Sequence, residues 1–455
     1  MDRLRAEAGL KDAALLTDLY ELSMADAYVG LGKNEPATFE LFVRKLPPER
    51  GFLVAAGLAD ALDYVLGLRF SPEAVSFLGE QKRFSDGFLK FLESFKFSGD
   101  VWAVPEGTIV FGSEPIVRVT APIAEAQLLE TFLINCIGFQ TLVASKAARV
   151  IYAARGKPVV DFSLRRTQGT DAGMKAARAT YLAGFSGTSN VLAGKEYGIP
   201  LSGTVAHSFV LSFNDEEEAF RAWAEKNPDN CVLVIDTFDT VEGARKAAKV
   251  GKELLEKGHR LAGVRIDSGD LIDLARRVRH VLDEGGMTFA KIFLSGNLDE
   301  KAVWTAVANG APVDAFGVGT SVGVCDDAPS LDIIFKPAEV TIAGTKVEVM
   351  KFSKGKATLP GVKQVYRKAE GGEFAGDSIG LQGEDVEGAP LLAQFVSNGT
   401  LVKSPETLEE ARARAAEGLG MLPQQVRRLS NPAQYRVALS PALSALVEKL
   451  KARRA

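Results

Sequence analysis

The stretch Gly263-Val264-Arg265-Ile266-Asp267-Ser268-Gly269-Asp270-Leu271 begins as an apolar strand, ends on acidic and small residues, and leads into a helical pattern. Similar β-rich runs recur through the middle of the chain about every 20–30 residues, the length of a βα unit. They are VVDF (159–162), LAGFSG (182–187), LSGTVA (201–206), VLVID (232–236), KIFLSG (291–296) and DAFGVG (314–319). Helical patterns lie between them, at Asp171–Tyr181, Asp215–Lys226, Val241–Glu256, Leu271–Asp283 and Asp299–Ala308.

This alternation of apolar strands and helices predicts an α/β fold with a parallel sheet covered by helices. About seven or eight such units would close into a TIM-like β/α barrel, which is the fold we predict. An open doubly wound sheet is the alternative. The chemistry of a barrel lies at the C-terminal ends of its strands. These ends carry Arg165, Ser186, His207, Asp236, Asp267, Ser295 and Gly319.

The sequence on both sides of this region predicts a second, mostly β domain assembled from the two ends of the chain. Short β runs broken by Pro and Gly, typical of antiparallel sheets, occupy Val101–Val119 and about 335–400. Helical patterns occupy Ala121–Arg149, Thr407–Glu417 and Pro441–Arg453. The predicted domains are a barrel over 121–334 and a β-rich or mixed domain over 1–120 and 335–455.

The composition narrows the class of protein. The 455 residues are 46% hydrophobic and 25% charged, as in globular proteins, and the net charge of −4 gives no case for nucleic acid or an anionic membrane. Three widely spaced cysteines argue for a reducing compartment and against a zinc site. The charged N-terminus is unlike a signal peptide, and we see no 18-residue apolar run. We therefore expect a cytoplasmic protein without zinc.

One of only three histidines, His207, lies in the Gly/Thr/Ser-rich run GTVAHSF (203–209). A histidine there can exchange protons near neutral pH or act as a nucleophile. The alternative is a structural histidine at a strand end. The run GVGTSVG (317–323) suits a phosphate site, because glycines let backbone N–H groups approach an anion and Thr320 adds a donor. Tight turns are the alternative explanation of these glycines.

Arg265 and Asp267 alternate on one strand and therefore share a face. Arg265 can bind a carboxylate or phosphate with two hydrogen bonds, and Asp267 and Asp270 could bind Mg²⁺ directly or through ribose hydroxyls and water. A structural salt bridge is the alternative. The run VLVIDTFDT (232–240) superficially resembles the diphosphate-sugar motif of Rossmann-like phosphoribosyltransferases, but its acids are not adjacent. No HExxH, Walker A or GxGxxG sequence is present, so ATP use would need an unusual site.

Taken together, these runs resemble nicotinate phosphoribosyltransferase along most of the chain. The segments that carry the resemblance are LLTDLYELSMADAY (15–28), FELFVRKLP (39–47), PEGTIVFGSEPIVRV (105–119), QLLETFLIN (127–135), SKAARV (145–150), DFSLRRTQG (161–169), GFSGTSNVLAG (184–194), GTVAHSF (203–209), GVRIDSGDL (263–271), GVGTSVG (317–323) and TLPGVKQVYR (358–367). The resemblance implies an irregular β/α barrel plus a β-rich domain, in a homodimer with shared active sites. It also implies synthesis of nicotinate mononucleotide and diphosphate from nicotinate and phosphoribosyl diphosphate, with Mg²⁺ and coupled ATP hydrolysis, in NAD salvage.

The resemblance further assigns roles to individual residues. Nicotinate would contact Phe162, Thr204, Arg265 and, from the partner subunit, Tyr20. Phosphates would contact Arg165 and the loop around Gly319 and Thr320. Ser295 and Gly296 are added to this phosphate site from their position at the preceding strand end, not from the resemblance. Asp267 would orient the ribose or Mg²⁺, and His207 would be phosphorylated by ATP. Ser189 would favour nicotinate, because nicotinamide-using relatives carry an aspartate there; helix capping is the alternative role for Ser189.

Three other functions compete with this prediction. The first is the nicotinamide-using relative, which shares the fold and most of these runs. The second is a non-catalytic barrel that only binds a nucleotide. The third is a sugar-phosphate lyase or aldolase, since a phosphate site alone does not define a reaction. An aldolase needs a Schiff-base lysine, and the strand ends named above carry none.

Overall fold

The computed structural model describes residues 12–353 and 355–453, and it divides into two compact units. One unit runs through Ser145 and resumes at Ala328, and the other is Lys146–Asp327. The start of the chain, where the sequence argues against a signal peptide, and the last two residues of the basic C-terminal tail lie outside the described residues.

The unit Lys146–Asp327 is built on six parallel strands that form a half-barrel. Across the sheet, the strands are Gly187–Thr188, Val159–Asp161, Ala315–Val318, Lys291–Leu294, Leu261–Ile266 and Cys231–Val234. Each adjacent pair is parallel. The predicted irregular β/α architecture is therefore confirmed. In the described residues it is a half-barrel of six parallel strands instead of a barrel closed by seven or eight.

Two of the predicted strand runs explain this smaller number. In LSGTVA (201–206), only Leu201 makes a single bridge, to Thr188, and the run is mostly exposed around Gly203. Without a buried apolar face, these residues have little to gain from joining the sheet. In LAGFSG (182–187), Leu182 still belongs to the preceding helix, so the strand begins only at Gly187.

The helices of this unit include the five that the sequence predicts, with bounds close to the predicted ones. The helices are Thr170–Leu182, Val191–Tyr197, His207–Val210, Glu216–Lys226, Thr240–Glu256, Leu271–Glu284, Glu300–Ala308 and Thr320–Val324, with 3₁₀ turns at Leu164–Arg166 and Pro228–Asn230. Four of them begin after an aspartate whose side chain accepts backbone N–H groups. The four caps are Asp215, Asp239, Asp270 and Asp299. Local sequence therefore fixes where these helices start.

A buried ionic cluster ties the start of this unit to its end. Lys146 Nζ lies 2.7 Å from Glu300 Oε2 and 2.9 Å from Asp327 Oδ1. Arg149 Nε donates to Glu300 Oε1 at 3.0 Å. Lys146, Arg149 and Glu300 are almost fully buried, so this pairing compensates charges that would otherwise be expensive to desolvate.

The other unit contains a seven-stranded antiparallel sheet. Across it, the strands are Thr345–Glu348, Ile333–Ile342, Pro36–Val43, Pro115–Pro122, Asp100–Ala103, Ala393–Ser397 and Thr400–Leu401. A four-stranded sheet contains Ala389–Pro390, Lys363–Glu370, Glu373–Leu381 and Val437–Leu439, and Leu53–Val54 pairs with Ile109–Val110. The predicted β-rich unit from both chain ends is confirmed.

Helices also contribute to this unit. They are Leu19–Gly30, Leu58–Gly67, Pro72–Glu80, Asp86–Glu93, Ile123–Gln127, Glu130–Ala154, Leu408–Met421 and Pro441–Ala452, with a 3₁₀ turn at Ala13–Leu15; Glu130–Ala154 continues past Ser145. The segment Ile123–Ala154 is long and apolar enough to pass a simple test for a membrane span. Because 78% of its most apolar window is buried inside the protein, it is better described as a core helix.

Candidate active site

The predicted site residues, apart from Tyr20, all belong to the unit Lys146–Asp327. Most of them follow the carboxyl ends of its parallel strands, the edge where α/β proteins bind ligands. Strand register supports this placement: Asp161 pairs with Val318, and Leu294 pairs with both Phe316 and Ile266. The loops after these strands consequently emerge on the same edge of the sheet.

His207 begins the one-turn helix His207–Val210 and is partly exposed. Its Nδ1 lies 3.0 Å from Thr237 Oγ1, and the two atoms share a hydrogen bond. Its Nε2 lies 3.9 Å from Asp236 Oδ1 and 3.7 Å from Asp267 Oδ2. The imidazole is thus oriented by a hydroxyl on one side and faces two carboxylates on the other. This arrangement places His207 near Asp267, as the sequence prediction required.

Asp236 connects the ends of two neighbouring strands. Its side chain is only 2% exposed, and Oδ2 accepts hydrogen bonds from the backbone of Asp267 at 2.9 Å and from Ser268 Oγ at 2.7 Å. Within the part of the chain that the structure describes, the buried Oδ1 has no hydrogen-bond partner. A buried carboxylate oxygen without a partner is unfavourable. It favours the approach of a positive group, such as a protonated His207 or a bound cation.

Asp267 is held in place from the next strand. Ser295 Oγ donates to Asp267 Oδ1, while the Ser295 backbone donates to Ile266 at 2.9 Å. Gly296 has a φ of +88°, and a Cβ there would overlap the carbonyl oxygen of Asp267. Only glycine fits this close approach. Ser295 and Gly296 thus directly support the Asp267 loop, whatever ligand they bind.

Arg265 is largely buried one position before Ile266, on the same strand as the Asp267 loop. Burial lowers the pKa of its guanidinium, Arg165 lowers it further, and the nearby charges of Asp267 and Asp236 oppose this shift. In residues 12–353 and 355–453, Arg265 forms no salt bridge, and its buried Nε has no hydrogen-bond partner. The structural salt bridge considered as an alternative is therefore wrong. A half-buried guanidinium that makes no salt bridge is a candidate for binding an anionic ligand.

The ring of Phe162 packs directly over the glycine-rich run. The Phe162 backbone donates to Val318 at 2.8 Å, and a Cβ on Gly317 would overlap the ring. A Cβ on Gly319 would lie 2.9 Å from the Phe162 carbonyl oxygen, and one on Gly323 would lie 2.6 Å from Ser163 Cβ. These glycines serve close packing against the Phe162 loop. Tight turning alone, the alternative explanation, does not account for them.

Four other predicted residues lie around this edge. Ser189 is exposed, and its backbone donates to the Asp161 carbonyl at 2.9 Å; Asn190, not Ser189, caps the helix Val191–Tyr197. The helix-cap explanation of Ser189 is therefore wrong. The remaining members are Arg165, exposed in a 3₁₀ turn, Thr204, half-buried in an irregular segment, and Thr320, exposed after Gly319.

Asp270, the second predicted metal ligand, caps the helix Leu271–Glu284. Its Oδ1 accepts hydrogen bonds from the backbones of Ile272 and Asp273, each at 3.2 Å. Among the described residues, no group of three or more His, Cys, Asp and Glu side chains is arranged to hold a metal ion. A Mg²⁺ site would accordingly need ligands from the substrate, which is common for Mg²⁺ bound to phosphates.

Tyr20 lies in the other unit, on the helix Leu19–Gly30, and is 46% exposed. It lines a cleft of about 380 Å³ together with Met24, Glu130 and Lys336. Lys336 Nζ lies 2.6 Å from Glu130 Oε1. An exposed tyrosine beside a cleft is available to a ligand or another subunit.

Sequence reasoning gave no role to three residues that organise this site. Asp161 and Thr188 are fully buried and hydrogen-bonded to each other, and Thr237 contacts His207. Asp161 was visible as an acid at the end of an apolar strand, like Asp236, and that position was the available signal. The contacts of Thr188 and Thr237 depend on neighbouring strands, so no local pattern marks them.

Models of known protein families match three successive parts of the chain. The model described as the nicotinate phosphoribosyltransferase (NAPRTase) N-terminal domain matches residues 15–138. The model of the nicotinate phosphoribosyltransferase (NAPRTase) family matches 158–369, and that of the nicotinate phosphoribosyltransferase C-terminal domain matches 381–447. Together these three models account for most of the chain.

Individual proteins agree with this assignment. Nicotinate phosphoribosyltransferase pncB2 of Mycobacterium tuberculosis is 45% identical over 442 residues, 96% of this chain and 94% of that protein. The Bacillus subtilis nicotinate phosphoribosyltransferase is 37% identical, over 95% of this chain and 94% of that protein. The crystal structure of human nicotinic acid phosphoribosyltransferase matches with a TM-score of 0.85 and 31% identity, covering 95% of this chain and 99% of that one. The chain belongs to the nicotinate phosphoribosyltransferase family.

The close approach at Gly296 generates a stability prediction. Gly296→Ala should lower the free energy of unfolding by about 3 kcal/mol, because the new methyl group overlaps the Asp267 carbonyl oxygen. Gly310→Ala is the matched control: Gly310 also has a positive φ, of +64°, but nothing lies near its would-be Cβ. That variant should lose only about 1 kcal/mol. Urea denaturation measures both, and equal losses would contradict the steric explanation.

Proposed function

We propose that this protein transfers the phosphoribosyl group of phosphoribosyl diphosphate to nicotinate, in NAD salvage and with coupled ATP hydrolysis. The observation that carries the proposal is the half-buried guanidinium of Arg265, which lacks a salt bridge in the described part of the chain. It lies on the sheet whose carboxyl edge also presents Phe162. The names of the similar proteins from Mycobacterium tuberculosis and Bacillus subtilis support the choice of nicotinate as the substrate.

Nicotinate combines a flat pyridine ring with a carboxylate, and the site offers a partner for each. Phe162 would stack on one face of the ring, where its own ring is already held over Gly317. Arg265 would pair with the carboxylate, and burial strengthens such a pair because water competes less. Thr204 and Ser189 would add hydroxyl groups. The negative charge of nicotinate would compensate the buried positive charge of Arg265.

The phosphates of the second substrate need cationic and N–H groups at the same edge. Arg165 is exposed after Phe162, and the backbone around Gly319 and Thr320 is exposed after the neighbouring strand. Gly296 would add its backbone N–H to this set. Ser295 would support the set indirectly, because its backbone N–H donates to Ile266 and its hydroxyl donates to Asp267. Arg165 is also close enough to Arg265 to lower the pKa of that residue, which supports one connected anion site.

The transfer itself needs no protein nucleophile, because the substrate supplies the attacking nitrogen. The pyridine nitrogen attacks C1 of the ribose, the bond from C1 to the diphosphate oxygen breaks, and diphosphate leaves with the bonding electrons. Positive charge develops on the ribose in the transition state, so the nearby carboxylate of Asp267 would stabilise it. Positioning of both substrates and neutralisation of the leaving group then supply most of the acceleration.

Mg²⁺ is the cofactor that we propose for this step. When bound, it would neutralise charge on the diphosphate. Asp267 is the better protein ligand because its side chain is 31% exposed, whereas Asp270 uses one oxygen to cap a helix. One or two carboxylates plus substrate phosphates is an ordinary Mg²⁺ ligand set.

ATP would act through His207. In the tautomer whose Nδ1–H donates to Thr237, His207 keeps a lone pair on Nε2. That nitrogen would attack the γ-phosphorus of ATP, the bond to the β-phosphate oxygen would break, and ADP would leave. The phosphoryl group would lie beside Asp236 and Asp267, whose charges repel it. Its later hydrolysis would relieve this repulsion, which is how ATP would favour product formation.

The purified protein with nicotinate, phosphoribosyl diphosphate and Mg²⁺, with and without ATP, tests the proposed function. We expect nicotinate mononucleotide and diphosphate in equal amounts, and more product with ATP. Nicotinamide in place of nicotinate tests the competing substrate. A product from nicotinamide alone, or cleavage of a sugar phosphate without nicotinate, would assign another function. No turnover of any substrate would favour the binding-only barrel.

Phosphorylation of His207 has a direct test. Incubation with γ-labelled ATP should give an acid-labile label on the protein, since a phosphohistidine hydrolyses in acid. His207→Ala should lose the label and the stimulation by ATP, while some basal transfer remains. His259→Ala is the matched control, because His259 pairs with Asp229 elsewhere in the unit. Full labelling of the His207→Ala protein would show that another residue is phosphorylated.

Ser189 is the residue that we expect to set the choice between the two pyridines. Ser189→Asp should reduce kcat/KM for nicotinate about 100-fold, because a carboxylate there would repel the substrate in a partly desolvated site. The nicotinamide value should stay or rise. Ser189→Ala is the neutral control and should lose about tenfold at most. Competition between the two substrates gives the ratio, and an unchanged ratio in Ser189→Asp would remove Ser189 from the specificity.

We also propose a homodimer in the cytoplasm, with Tyr20 stacking on nicotinate in the partner's site. The exposure of Tyr20 supports this, as do three buried cysteines that form no disulfide. Tyr20→Ala and Arg265→Ala should each be nearly inactive, yet subunit exchange between them should rebuild one complete site per mixed dimer. Activity should therefore recover to about a quarter of wild type at equal mixing, if random pairing gives half mixed dimers. Mixed dimers without recovered activity would show that Tyr20 does not act across subunits.

A further inference from the structure

We propose that Asp161 is a positioning residue for nicotinate: its buried carboxylate fixes the two loops that carry Phe162 and Ser189. The inference rests on the proposed function, in which Phe162 stacks on the pyridine ring and Ser189 sets the choice between nicotinate and nicotinamide. Neither the strand pattern nor the resemblance gives Asp161 a role. The contacts around it are what assign one.

The Asp161 carboxylate is fully buried and accepts hydrogen bonds from two different loops. Oδ1 accepts from the backbone of Ser163 at 2.9 Å, on its own loop. Oδ2 accepts from Thr188 Oγ1 at 2.7 Å, on the neighbouring strand. The Asp161 backbone carbonyl accepts from the backbone of Ser189 at 2.9 Å. One residue therefore connects both loops through three separate bonds.

Thr188 extends this network by one step. Its fully buried hydroxyl donates to Asp161 and accepts from the backbone of Asn190 at 3.0 Å. Asn190 in turn caps the helix Val191–Tyr197 through its side chain. The Thr188 backbone also bonds to Pro200 and Ser202, each at 3.0 Å, at the start of the segment that leads to Thr204. The network thus reaches the segments that carry Phe162, Ser189 and Thr204, but not Arg265 or Tyr20.

The sequence positions of the bonded groups make the network specific to the site. Phe162 lies between Asp161 and Ser163, and both of these neighbours are held. Ser189 lies between Thr188 and Asn190, and both of those are held as well. The backbones of Phe162 and Ser189 are therefore each held by hydrogen bonds on both sides, while their side chains stay available to a ligand.

A buried carboxylate is an expensive way to stabilise a fold, because its desolvation opposes burial. Burial raises the pKa of Asp161, and the bonds from Ser163 and Thr188 oppose this shift. An apolar pair of similar size would serve packing as well or better. Unlike apolar packing, the directional hydrogen bonds define how the two adjacent loops are oriented. This matters because placement errors of about 1 Å are enough to weaken a site.

Thr188→Val tests the proposal with little change in shape. It removes the hydroxyl that donates to Asp161 and accepts from Asn190. We expect the KM for nicotinate to rise about tenfold, the size of a lost bond to a charged group, while kcat and the KM for phosphoribosyl diphosphate stay within about twofold. Thr188→Ser keeps the hydroxyl and should restore the wild-type KM. Asp161→Asn should show the same split as Thr188→Val.

Thr180→Val is the matched control. Thr180 is equally buried in the same unit, but its hydroxyl only bonds to Ala177 within a helix. It should leave the nicotinate KM unchanged, and thermal unfolding of all variants separates stability from positioning. A Thr188→Val enzyme with an unchanged nicotinate KM, as expected for Thr180→Val, overturns the positioning role alone. So does a Thr188→Val enzyme whose kcat and both KM values change together. A wild-type enzyme that makes no nicotinate mononucleotide overturns the proposed function, and the positioning role with it.

Discussion

Two buried aspartates, Asp161 and Asp236, hold together the edge of the parallel sheet on which every other feature of the site depends. Each follows the last apolar residues of a strand, and each accepts hydrogen bonds from its neighbourhood: Asp161 from Ser163 and Thr188, Asp236 from Asp267 and Ser268. Loops after parallel strands have few ladder bonds of their own, so a carboxylate that accepts several N–H and O–H groups can substitute for them. The scaffold thereby gains rigid loops at the place where ligands bind.

The same edge carries charges that are only partly compensated inside the protein. Arg265 and Asp236 each have a buried polar atom without a hydrogen-bond partner in the described chain. Their desolvation is completed during folding, so a ligand meets groups that have already lost their water. A ligand can make the hydrogen bonds that folding leaves unmade at these atoms. The unpartnered Nε of Arg265 suits a small anion such as a pyridine carboxylate, whereas the unpartnered oxygen of Asp236 suits a positive group.

Much of the fold could be read from local patterns. Aspartates before Glu216, Thr240, Leu271 and Glu300 marked helix starts, and β-branched runs marked five of the six strands of the parallel sheet. The run LSGTVA misled because its residues have strand-like composition but no apolar face to bury. Long-range contacts were not readable: nothing in the local sequence of Thr188 marks its bond to Asp161 on the neighbouring strand. Thr237 gave no local sign of its bond to His207, which lies thirty residues away.

The antiparallel sheet has a consequence for how the chain is made. Its strand Pro36–Val43 pairs on one side with Pro115–Pro122 and on the other with Ile333–Ile342. During synthesis, the second pairing must wait until the whole intervening unit has left the ribosome, and contacts so distant in sequence form slowly. Until then, one edge of an apolar strand stays open to other chains. Lys146–Asp327, by contrast, is continuous in sequence and can fold in the meantime. Cells that produce this protein at high rates or elevated temperature should therefore rely on chaperones that shield the early β segments.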